Sequence, residues 1–114
     1  MEKYLGKITN ASFGSGGYQG AMFGASFTFE FDDGCGIGDF WGTWGPSIDC
    51  ESDSCKWDES DRDKNYAEVM RRIANLMHEA KVDEFSRLVG VPVEITMTEP
   101  FGKMESWRVL TEVL

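Results

Sequence analysis

The 114-residue sequence predicts an α+β domain: an antiparallel five-stranded sheet with one long helix and one short helix packed on one face. Three observations carry that expectation. Phe23, Ala25, Phe27, Phe29 and Phe31 recur with period two, the pattern of a strand with one face in a core. Tyr66, Val69, Met70, Ile73, Leu76, Met77 and Ala80 recur near 3.6 residues, the pattern of a helix with one apolar stripe. Strand-like segments come first, then helix, then strands again, an order that places helices against one side of an antiparallel sheet.

The first strand covers residues 3–13, with Tyr4, Leu5, Ile8 and Phe13, and ends at the turn Gly14-Ser15-Gly16-Gly17. The second is the phenylalanine ladder. Asp32-Asp33-Gly34 contains the Asp-Gly pair favoured in tight hairpins, so residues 35–41 return antiparallel as the third. Residues 42–57 show neither period and read as a long loop, a length that is uncommon unless the loop is functional or clamped. The long helix starts near Ser60, where Ser60 and Asp63 pair as a capping box and the nearby acids suit the positive end of the helix dipole. A short helix through Phe85 and Leu88 has Asp83 as its N-cap and Gly90 just past its end. Val91, Val93, Ile95 and Met97 alternate as the fourth strand. Pro100-Phe101-Gly102 turns the chain, and residues 107–114 form the last strand.

Apolar residues make up 41% of the chain, enough for one core, and the length suits a single domain over residues 1–114. No apolar run approaches the roughly 18 residues that span a bilayer, and the opening residues lack a signal-peptide pattern. The expected location is therefore the cytoplasm, where three cysteines are reduced rather than paired. The net charge of −9 is unevenly placed: residues 30–63 hold eleven acids against two bases, and the remainder is balanced. Such a field steers toward a basic protein surface and away from nucleic acid and anionic membrane. A monomer or weak homodimer is expected.

Cys35, Cys50 and Cys55, with an acid from Asp33, Asp49 or Asp53, have the ligand types of a tetrahedral structural zinc site that would clamp the long loop. Idle thiols remain the competing reading. A catalytic thiol would need a base, and the single histidine, His78, falls off the apolar helix stripe onto the solvent side, so no enzyme activity is expected. The expected partner-binding set is Asp49, Glu51, Asp53, Asp58, Glu59 and Asp61, with Trp44 and Trp57 as aromatic anchors. A different class of function, a sponge that sequesters a cyclic nucleotide signal, would draw on Arg71, Arg72, Arg87 and Arg108 with Trp107 and Tyr18.

Several stretches together resemble a family of small accessory proteins encoded by bacteriophages and prophages. They are Phe13-Gly14-x-Gly16-Gly17-Tyr18-Gln19-x-Ala21-Met22-x-Gly24, Gly38-Asp39-Phe40 with Gly42, Trp57 to Arg62, Ala80-Lys81-Val82, and Ser106-Trp107-Arg108-Val109-Leu110-Thr111-Glu112. The resemblance implies an inhibitor of bacterial defence in the cytoplasm of an infected host. The acidic, cysteine-bearing insert is similar to what a type II-A anti-CRISPR protein would carry. That likeness implies binding to a Cas9-type nuclease and obstruction of target DNA loading.

Overall fold

The computed structural model describes residues 2–48, 57–98 and 103–114. Strand β1 (Glu2–Gly16) is the longest because two neighbours share it. Its first half pairs with β4 (Pro92–Met97) and its second half with β2 (Met22–Phe31). β3 (Gly36–Trp44) flanks β2, and β5 (Met104–Val109) flanks β4. The sheet order is β3-β2-β1-β4-β5, with every neighbouring pair antiparallel, as the sequence predicts.

A register slip between Ile8 and Asn10 changes which residues of β1 face inward. One extra residue flips the alternation, so Ile8 is buried on the same side as the half-buried Ala11 while Leu5 stays 54% exposed. The phenylalanine ladder behaves as its period requires: Ala25, Phe27 and Phe29 are buried, and Thr28 and Glu30 between them are exposed. Val93, Ile95 and Met97 continue that inner face on β4.

Helix α1 (Glu59–Ala80) lies on the inner face and buries Ile73, Leu76 and Ala80 against the sheet. Burying an isoleucine or leucine contributes roughly 1.5–3 kcal/mol each, so these contacts fix the helix position. Met70, expected in the same stripe, is 60% exposed, because it sits on the flank of the helix beside an open groove that it lines with Phe13 and Phe23.

Trp41 on β3 and Trp107 on β5 belong to opposite edges of the sheet, yet their rings stack at 5.2 Å and 17°. The sheet therefore curls until side chains of its two edge strands touch. The carboxylate of Asp39 clasps them: Oδ2 accepts the indole N–H of Trp41 at 3.0 Å and of Trp107 at 2.8 Å, while Oδ1 accepts the Phe40 amide at 2.8 Å. β2 approaches β3 closely at Gly24, where a Cβ would lie 2.0 Å from the Trp41 carbonyl oxygen.

Four local expectations are corrected. The short helix is a single 3-10 turn, Phe85–Leu88, because the amide of Gly90 bonds the Ile8 carbonyl and the amide of Ile8 bonds the Val91 carbonyl, which draws the chain back to β1. The long helix is capped by Asp58 with Asp61, two residues earlier than Ser60 with Asp63. β3 runs on to Trp44, so the unstructured stretch starts later than expected. β5 ends at Val109, where the amide of Leu110 bonds the Pro92 carbonyl and a 3-10 turn (Thr111–Val113) follows.

Candidate functional site

The connection from β3 to α1 needs a clamp, and Arg62 supplies one. This side chain is only 4% exposed. Its guanidinium donates to the carbonyls of Gly45 and Ile48, pairs with the Glu59 carboxylate, and lies 4.7 Å over the ring of Trp57. Both ends of the connection are thereby fixed to the first turns of α1. The Tyr66 hydroxyl adds a bond to the Trp44 carbonyl at 3.1 Å, and Asn65 reaches the Thr43 hydroxyl at 3.3 Å.

Around Arg62 the structure brings together four of the expected partner-binding residues, Trp57, Asp58, Glu59 and Asp61, while Trp44 is joined to α1 through its main-chain carbonyl. Trp44 and Trp57 are half-buried, Asp58 and Glu59 are exposed, and Asp61 is half-buried. Asp63, also exposed, joins them on α1. Asp49, Glu51 and Asp53 lie outside the described residues. Because Arg62 is the buried counter-charge, the acids left facing solvent give this end of the molecule a net negative field.

Cys35 and Asp33 stand elsewhere, at the β2–β3 hairpin. The nine residues of β3, about 30 Å of extended chain, separate that hairpin from Gly45. Cys50, Cys55, Asp49 and Asp53 lie outside the described residues. Among the described residues no group of three or more His, Cys, Asp or Glu side chains is placed to hold a metal ion. At the hairpin, Asp33 Oδ1 accepts the Cys35 amide at 2.9 Å. The charge of Asp33, and then its hydrogen bond, push the Cys35 thiol above its ordinary range.

Two grooves flank α1. The first, about 300 Å³, is lined by Trp41, Arg72, Asn75, Glu79, Trp107 and Arg108. Arg72 lies 4.0 Å over the Trp41 ring and, among the described residues, makes no ion pair or hydrogen bond. Arg108 is held by Glu112 through two 3.0 Å bonds and by Glu94 at 3.1 Å. These bonds raise the Arg108 guanidinium above its ordinary range and draw the Glu112 carboxyl down to about 2. Of the cations named for a nucleotide site, Arg72 and Arg108 meet here beside Trp107. Arg71 pairs with Glu68, Arg87 pairs with Asp83 and Glu84, and Tyr18 is exposed in the 3-10 turn Tyr18–Gly20; none of the three lines this groove.

The second groove, about 420 Å³ and almost wholly apolar, is lined by Phe13, Phe23, Pro46, Tyr66, Val69 and Met70. Phe13 and Phe23 meet edge to face at 5.2 Å and keep 48% and 37% of their surface exposed. Sequence reading missed this groove because Phe23, Tyr66, Val69 and Met70 all carry the periodicity of core residues. The available signal was Pro46 and the N-terminal half of the helix stripe, which extend past the region that the sheet can cover.

No helix among the described residues is long and apolar enough to cross a membrane. His78 is exposed, as its place on the helix predicts. Comparison with known proteins finds no match to a family model, to a curated protein or to a solved structure.

Proposed function

We propose that this protein is a binding module that docks its anionic end onto a basic protein surface. The observation that carries the reading is the convergence of Trp57, Asp58, Glu59 and Asp61 around the buried Arg62. Arg62 is neutralised within the clamp by Glu59, one turn before the exposed Asp63, and the clamp holds Trp57 beside Asp58 and Asp61, which cap the helix. Long-range attraction brings the partner in, and aromatic contact holds it.

The partner class implied by the family resemblance is a Cas9-type nuclease, whose guide and target channels are strongly basic. Occupying such a channel with carboxylates competes with DNA phosphates and blocks target loading. A pull-down of a purified Cas9-type nuclease at low ionic strength tests this reading. Retention, weakened by added salt, supports it; a blank pull-down rejects the nuclease as the partner.

A second reading is favoured by the Arg72 groove. The outer edge of the Arg72 guanidinium presents planar donors suited to a phosphate, and Arg108, Asn75 and Trp107 lie beside it. A cyclic nucleotide sequestered here would make the protein a sponge for an immune signal. The overall charge of −9 opposes an anionic ligand, which ranks this reading second. Thermal unfolding with a cyclic dinucleotide or cyclic ADP-ribose decides it: a rise of several degrees that Arg72→Ala abolishes would promote the sponge.

A further inference from the structure

We propose that the apolar groove between α1 and the ends of β1 and β2 receives a basic amphipathic helix of the partner protein. This inference rests on the docking reading above and gives it a contact surface. Three observations lead to it.

The groove is apolar where a helix would bury its anchors. Phe13, Phe23 and Met70 are 48%, 37% and 60% exposed around a cavity of about 420 Å³. The edge-to-face pair Phe13–Phe23 forms one wall and the Tyr66–Met70 stripe of α1 the other. A groove between a helix and a sheet end accepts apolar side chains that recur at helical spacing.

The rim is acidic where that helix would be charged. Glu59, Asp63, Tyr66 and Met70 are separated by four, three and four residues, so they share one stripe of α1. The stripe that lines the groove thus continues toward the helix start as two exposed carboxylates, and no lysine or arginine lines the cavity. A segment with apolar residues on one face and Lys or Arg on its flanks matches both features.

Other occupants match less well. A second copy would set two acidic rims of a −9 chain against each other. Residues 49–56 of this chain, Asp-Cys-Glu-Ser-Asp-Ser-Cys-Lys, carry no aliphatic or aromatic side chain to fill the cavity. The exposed Val113 and Leu114 follow β5, anchored to β4 by the bond from Leu110 to Pro92, across the sheet from β2.

Fluorescence anisotropy with two labelled synthetic peptides of about 18 residues tests the proposal. Both contain the same Leu, Trp and Lys residues; one is arranged as an amphipathic helix and the other is scrambled. The expected result is that the amphipathic peptide binds roughly tenfold more tightly and that Met70→Asp removes this advantage, while Met70→Leu retains it. Met70 is exposed, so both variants should keep the parent unfolding temperature, and a thermal melt confirms that. Equal binding of the two peptides, or an unchanged preference in Met70→Asp, overturns the groove while leaving a purely electrostatic docking end intact. Failure of both peptides to bind at low salt overturns the groove and the docking reading together.

Discussion

Arg62→Ala is the perturbation whose size follows most directly from the structure. The substitution removes a cation that is 4% exposed and leaves the carbonyls of Gly45 and Ile48 without their donor. Hydrogen bonds to charged groups contribute about 1.5–3 kcal/mol each. The stacking on Trp57 adds about 1 kcal/mol. The ion pair with Glu59 adds less than about 1 kcal/mol, because that carboxylate is 72% exposed. These terms are coupled, and the net loss falls near 4 kcal/mol, in line with truncation of other buried charges at about 3–5 kcal/mol. For a chain of this length that is a fall of roughly 15 °C in Tm. Arg62→Lys keeps the charge but lacks the planar fork that bonds two carbonyls and stacks on the indole, so it should restore less than half of the loss. Thermal and urea unfolding read both variants. If Arg62→Ala melts within about 3 °C of the parent, Arg62 does not clamp the connection and the reasoning fails.

Three further outcomes are expected. Asp39→Asn should cost about 2–3 kcal/mol, since its amide turns a donor toward either the two indoles or the Phe40 amide; urea unfolding followed by tryptophan fluorescence measures it, and an unchanged midpoint would remove the clasp. Glu112 is drawn down to about 2 from 4.5 by its bond to Arg108, so its contribution is full above about pH 4.5 and lost as pH falls through 2. Glu112→Gln should therefore lower Tm at pH 6, and the difference should shrink steadily as pH falls from about 4.5 toward 2; a difference at pH 2 as large as at pH 6 would contradict the assignment. In a chain with Cys50 and Cys55 replaced by Ser, Asp33→Asn should speed alkylation of Cys35 at neutral pH, because the charge that suppresses its thiolate is gone; an unchanged rate would show that Asp33 does not control the thiol.

The α+β class, the five strands and the long helix were legible because periodicity reports faces directly, whereas the order of the strands in the sheet was not. Phe27 and Phe29 announce a buried strand face, and Ile73, Leu76 and Ala80 a helix lying on it. The 3-10 turn at Phe85 was not legible, since it depends on where β1 lets the chain re-enter the sheet, and the α1 cap was misplaced because Asp58/Asp61 and Ser60/Asp63 offer the same spacing. Periodicity is also blind to curl. Nothing local in the sequence says that side chains of β3 and β5 meet, as Asp39 and Trp107 do at 2.8 Å. For the site, charge clustering led to the anionic end, but Arg62 was counted as one of two bases in an acidic run when it is the buried residue that organises it. The apolar groove was hidden because an anchor at an open groove and a core residue obey the same spacing.

The association rate with a purified Cas9-type nuclease, followed across ionic strength for the parent and for a Glu59→Gln, Asp61→Asn, Asp63→Asn variant, tests the docking claim most directly. Between about 0.1 M and 1 M salt the Debye length falls from about 10 Å to about 3 Å, which screens a steering field. The parent should associate fast at low salt and slow steeply, whereas the neutralised variant should start slower and respond weakly. Two superimposable salt profiles, or a complex whose formation ignores salt, would contradict an anionic end built to meet a basic surface.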